Sequence, residues 1–139
     1  MRWSITAWLA LLALVVPPSF AGETPTVTQL LSTRTTIIGQ PIRLPQGDVQ
    51  VTVSRIVVPA GGILEVHKHP WSRYAYVLEG TLSITLATGQ VLDYKAGDFI
   101  IGAQNIWHFS SAGNDPVVLL VIDQAQAGHA NVVHMEARH

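Results

Sequence analysis

The chain of 139 residues contains no cysteine and little charge: 12% of its residues are Asp, Glu, Lys or Arg. Without thiols there is no disulfide framework, no thiolate metal site and no cysteine nucleophile. The fold must rest on packing. With 8 Lys and Arg against 9 Asp and Glu and no basic cluster, the composition gives nucleic acid no electrostatic footprint. Aromatic residues are sparse at 7%. No Gly-x-Ser-x-Gly elbow, no phosphate-cradling glycine loop and no His-Glu-x-x-His helix is present, which removes the common hydrolase and nucleotide-binding readings. After residue 29 no segment carries a 3.6-residue apolar period, so amphipathic helices are not expected.

The longest apolar run is Ile5 to Val16, interrupted only by Thr6. It is too short for a membrane span, which needs about 20 apolar residues. It follows Arg2, it is broken by Pro17-Pro18, and Ser19-Phe20-Ala21 then reads as a small-x-Ala cleavage site. These are the parts of a secretory signal peptide over residues 1–21. Cleavage leaves residues 22–139, one domain's worth of chain, with no membrane contact after removal and a periplasmic or secreted location. The 4 tryptophans then reduce to Trp71 and Trp107.

What remains is a succession of short β-branched stretches broken by turn residues. Residues 22–48 read as a lead-in with edge strands at 35–38 and 41–44. Strand-like stretches follow at 49–58, 63–69, 73–78, 81–87, 90–94, 98–101, 106–110 and 117–122, and residues 124–139 read as a tail with a further edge strand near 131–134. Many short strands at this spacing predict an all-β, small single-domain barrel or double-sheet jelly roll.

The chemistry concentrates in His67-Lys68-His69 and in His108, which lies inside a second strand-like stretch. Residues i and i+2 of a strand share a face, so His67 and His69 aim at one spot while Lys68 points away. Three converging neutral imidazoles make a site for one divalent transition metal, with Fe, Mn, Zn, Ni and Cu all compatible with the ligand type. Trp71 and Trp107, each within two residues of a candidate ligand, are candidates for an apolar mouth that binds substrate; packing at the core or rim is the competing reading. His129, His134 and His139 have no partner spacing and read as tail surface.

These residues resemble the cupin family. Its first motif is matched by Gly61, five residues, His67-Lys68-His69, three residues, position 73, six residues and Gly80; the phrase Tyr76-Val77-Leu78-Glu79-Gly80 belongs to it. The second is matched by Gly89, Lys95-Ala96-Gly97-Asp98 and His108, with Lys95 where Pro is usual and Ala112 where Asn is usual. The likeness covers residues 49–123. It implies a jelly-roll (cupin) β-barrel and, by analogy with family members that pair their sheets, a homodimer. It does not specify an activity.

One departure bears on the metal. Arg73 stands where the family pattern has a metal-binding Glu, and a guanidinium cannot ligate a cation. The resemblance implies that Arg73 points into the barrel. A positive charge about 6 Å from a divalent ion costs on the order of 5 kcal/mol at an effective dielectric near 20. An anionic ligand clamped by Arg73, a salt bridge to Glu65 or Glu79, or exposure of the guanidinium would each relieve it. Glu65, at i−2 from His67, shares its face if the strand is regular. Two functional classes stay open. One is a metal-dependent enzyme, dioxygenase-like or related, acting on a small anionic or phenolic substrate oriented by Arg73. The other is a non-catalytic module that binds a small ligand or metal, including a metal-free form with Arg73 as anion clamp.

Overall fold

The computed structural model describes residue 22 and residues 24–136; the signal peptide expected over residues 1–21, and His139, lie outside the described residues. Among the described residues nine strands form: β1 (Val49–Val58), β2 (Ile63–Lys68), β3 (Arg73–Glu79), β4 (Thr81–Leu86), β5 (Val91–Lys95), β6 (Phe99–Ile101), β7 (His108–Ala112), β8 (Val117–Gln126) and β9 (Val133–His134). They make two sheets, ordered β1-β8-β3-β6 and β5-β4-β7-β2-β9, with every strand pair antiparallel.

The pairings nest: β1 with β8, β2 with β7, β3 with β6 and β4 with β5. That is the connectivity of a long hairpin rolled over on itself, the jelly roll expected from the strand spacing. The innermost turn is closed by Gly89, which donates to the Leu86 carbonyl at 2.8 Å and takes a φ of +85°. The Lys95-Ala96-Gly97-Asp98 turn works without the usual proline, because the Asp98 carboxylate accepts the Lys95 N–H at 2.7 Å. Gly80 is required sterically: its φ is +78°, and a Cβ there would run into the Pro116 carbonyl.

Alternation decides which residues enter the core. In β4, Leu82, Ile84 and Leu86 are buried and their neighbours are not. They meet Ala75 and Val77 of β3, Ile100 of β6 and Val117, Leu119 and Val121 of β8. Val77 and Val117 have no exposed surface, and each such side chain stabilises the fold by about 1.5–3 kcal/mol relative to leaving it in water.

Three expectations change. The lead-in forms a tight loop, not edge strands: Thr35 and Pro41 make a single bridge around a turn at Gly39, φ +82°, and Thr36 N–H reaches the Gln40 carbonyl at 2.8 Å. A proline and a left-handed glycine so close together leave no room for a strand ladder. β8 continues four residues past Ile122, because β1 pairs it in register from Val58↔Val117 to Val49↔Gln126. The polar Asp123-Gln124-Ala125-Gln126 stretch has no apolar signal, yet its backbone is held by a neighbour. β2 ends at Lys68, and His69 is held instead by a parallel bridge to Gln104.

Candidate metal centre

His67 and His108 are direct cross-strand partners in β2 and β7, and His69 follows two residues beyond His67. All three are buried, and their ligand atoms lie within 4.8 Å of one another. The ring centroids are 4.9, 4.5 and 5.2 Å apart. Lys68 points the other way, with Nζ 4.9 Å from the Trp107 ring centre. The i, i+2 expectation therefore holds, and the sheet supplies the third imidazole.

Each ring is oriented by a backbone carbonyl. His67 Nδ1 lies 2.6 Å from the Glu65 oxygen, His69 Nδ1 2.6 Å from the Asn131 oxygen, and His108 Nδ1 2.9 Å from the Ile106 oxygen. A carbonyl only accepts, so each Nδ1 carries the hydrogen and each Nε2 keeps its lone pair. Burial pushes the same rings toward neutrality. Desolvation, aided by Arg73, lowers His69 to about 3. Desolvation lowers His67 to about 4, opposed by its bond to Glu65 and aided by His108 and Arg73. His108 is lowered chiefly by desolvation. Three neutral, oriented imidazoles are a donor set that fits one divalent transition metal. A shared ion holds such nitrogens about 3–4 Å apart, so small ring rotations close the remaining gap.

The lowered values make the metal-free fold sensitive to acid. Unfolded histidines take up protons near 6.5, while the folded ones resist until about 3–4. The unfolded state therefore binds more protons inside that window. Stability present above pH 6.5 is lost as pH falls, by about 1.4 kcal/mol per pH unit for each histidine still neutral in the fold. Urea unfolding of the metal-free protein from pH 7.5 to 5 should show the midpoint dropping; a flat profile would contradict the burial of the rings.

The histidines face a cavity of about 50 Å³ whose other walls are mostly aliphatic, among them Ile56, Leu64, Leu82, Ile84 and Val121, with Arg73 and Ser110 as further polar members. That volume holds roughly three or four water-sized groups. Neither Trp71 nor Trp107 lines it. Trp71 stands edge-on to His129 at 6.5 Å. Trp107 alternates with His108 and turns to the outer side, beside Val66, Thr85 and Met135.

Arg73 does reach the cavity, but its charge is matched by neither Glu65 nor Glu79. Asp123 is its direct cross-strand partner. Nε donates to Oδ1 at 3.0 Å and Nη2 to Oδ2 at 2.7 Å. This bidentate pair offsets part of the guanidinium's charge, and what remains is still felt by the imidazoles. Glu65 is exposed because the β2–β7 register slips between Leu64 and His67. The irregularity breaks alternation, so Leu64 lines the cavity and Glu65 does not. Glu79 sits at the far end of β3 and is also exposed.

Sequence reasoning missed Asp123 and Asn131. Asn131, in the tail, accepts from His69, donates through Nδ2 to Asp123 Oδ1 at 2.7 Å and accepts the Trp71 N–H at 2.9 Å. Nothing local marks either residue; the signal exists only once β3 lies beside β8 and the tail folds back. The tail also brings His134 opposite His67, with ring centroids 6.2 Å apart, although His134 remains exposed.

The comparisons with known proteins agree with this architecture. A family model described as a cupin domain matches residues 54–123, half of the chain. No curated protein matches the chain. Among solved structures, the polyketide cyclase RemF from Streptomyces resistomycificus is similar with a TM-score of 0.53 at 22% identity, over 66% of this chain and 65% of that one. The DMSP lyase DddQ from Ruegeria pomeroyi is similar with a TM-score of 0.53 at 19% identity, over 60% and 42%. A point mutant of the Bacillus subtilis oxalate decarboxylase OxdC is similar with a TM-score of 0.50 at 25% identity, over 60% and 23%. The chain thus spans less than two thirds of each of these proteins, and about a quarter of the decarboxylase. With the motif spacings, the nested strand pairs and the matched domain together, this chain belongs to the cupin family.

Proposed function

We propose that the protein is an exported cupin that holds one divalent transition metal through His67, His69 and His108 and acts on a small anionic or phenolic molecule, as a dioxygenase or a related metal-dependent enzyme. The observation that carries this reading is the set of three Nδ1–H groups tied to backbone carbonyls, which leaves three Nε2 lone pairs for one ion. A bound metal would act as a Lewis acid or as an anchor for a chelating ligand. The chain's own contribution is placement. Arg73 keeps N–H groups beyond the two taken by Asp123, and these can orient an anionic oxygen in the cavity. The aliphatic wall excludes water from the reacting end of the substrate.

A second reading, a binding module without turnover, is favoured by one observation. No carboxylate, lysine, tyrosine or cysteine is among the residues lining the cavity, so acid–base chemistry has few agents there.

The leader over residues 1–21 supports export, and the exposed valines of the edge strand β1 (Val49, Val51, Val53 and Val57) support a homodimer. Elemental analysis of untagged protein tests the metal. Oxygen consumption by the iron(II)-loaded protein over small acids and phenols then separates the two functions. Uptake that depends on substrate supports the dioxygenase; a raised melting temperature without uptake or other turnover supports the binder. Metal-free protein that also fails to load would refute both metal readings.

A further inference from the structure

We infer that Asn131 is the positioning residue of the metal centre, setting the His69 ring and the Arg73 guanidinium at the same time. This rests on the metal-binding reading. Asn131 belongs to the tail, 62 residues from His69 in sequence, and is 5% exposed. Its main-chain carbonyl and both polar groups of its side chain are committed, and each commitment ends at the site. The main-chain carbonyl accepts from His69 Nδ1 at 2.6 Å. Nδ2 donates to Asp123 Oδ1 at 2.7 Å, and Asp123 grips Arg73. Oδ1 accepts the Trp71 N–H at 2.9 Å, just after the His69-Pro70 pair.

The amide's orientation follows from chemistry. Asp123 only accepts, so the nitrogen must face it, and the oxygen must face the Trp71 N–H. An aspartate in this place would keep the acceptor and lose the donor, setting carboxylate against carboxylate. An alanine would lose both. Alanine thus releases the tail segment from both side-chain anchors, aspartate from one while adding repulsion, and in either case the segment's carbonyl no longer holds the His69 ring in one orientation. His67 and His108 are oriented by carbonyls two residues away in their own segments, so they do not depend on the tail. The effect should therefore be confined to one ligand of three. Partners of this kind typically contribute about 10–100-fold to metal affinity.

The test uses the full mature protein loaded with cobalt(II). The wild type should show three exchangeable, hyperfine-shifted imidazole N–H resonances. Asn131→Ala and Asn131→Asp should each bind cobalt about 10–100-fold more weakly and lose one resonance, that of His69, to solvent exchange. Val77→Ala, a core change that does not line the cavity, should lower the melting temperature but keep the affinity and all three signals. In the zinc-loaded wild type, the His69 Nδ1 proton should show a cross-relaxation peak to Asn131, a measurement that needs no variant to fold. Wild-type affinity with three resonances in Asn131→Ala, or absence of that cross-peak, would overturn the inference and leave the metal reading intact. Failure of the wild type to take up cobalt and zinc would overturn both.

Discussion

Replacing His67, His69 or His108 singly by alanine is expected to abolish stable metal binding. The whole affinity of a four-donor zinc site is about 10–16 kcal/mol, so each donor carries roughly 3–4 kcal/mol, or about 10²–10³-fold in Kd. No cysteine exists to substitute for a lost donor, and no carboxylate lines the cavity. His134 is the other imidazole near His67, but it lies outside the set whose donor atoms converge. Its replacement by alanine should leave metal content unchanged. The measurement is metal per chain after gel filtration, paired with chelator competition. Retention of a full equivalent in His67→Ala and His69→Ala would show that the ion, if any, sits elsewhere.

The second large effect concerns the Arg73–Asp123 pair. Side-chain exposures of 17% and 12% place the pair well out of solvent. Removing one member leaves the other charged and largely buried, which costs about 3–5 kcal/mol. Asp123→Ala should lie at the lower end of that range, because some exposure remains and the guanidinium can reach toward water. Its effect on metal should be larger. The uncompensated guanidinium then opposes a divalent ion, by up to about 5 kcal/mol at about 6 Å and an effective dielectric of 20. That is a loss of up to about a few thousandfold in affinity. The double variant Arg73→Met with Asp123→Leu removes both charges and should recover most of the stability and the metal affinity. Urea midpoints and chelator competition on the single and double variants check this. Equal loss in Asp123→Ala and the double variant would mean that the aspartate is not there to neutralise the arginine.

The pair also explains how an arginine is tolerated at a position where the family pattern carries a metal-binding glutamate. Cross-strand register supplies a carboxylate from β8 directly opposite, and two parallel hydrogen bonds hold it. An external anion is not needed for charge balance. The remaining N–H groups of Arg73 are then available to a ligand without leaving a bare charge when the ligand departs. Asn131 contributes to the same balance, since its amide nitrogen shares Asp123 Oδ1 with Arg73. A connected polar chain thus runs outside the cavity lining, from His69 through Asn131 and Asp123 to Arg73, and only its two ends face the cavity. Such chains are costly when broken at one link, which is why single substitutions along it have larger predicted effects than its double replacement.

The sequence on its own determined the class of fold, most strand positions and the three imidazoles. The reason is physical: alternation, turn residues and i, i+2 geometry act over a few residues and leave marks that can be read locally, as in Leu82-Ser83-Ile84 or His67-Lys68-His69. Glu65 shows where that rule stops, since one slip of register between Leu64 and His67 sends it to solvent. Only the tertiary structure decided the partner of Arg73, the reach of β8 to Gln126, the outward turn of Trp107 and the return of the tail to His69. Asp123 is 50 residues from Arg73, and Asn131 is 62 from His69. Contacts at such separations are created by strand order and register, which are properties of the rolled hairpin as a whole and leave no trace in any short stretch of chain.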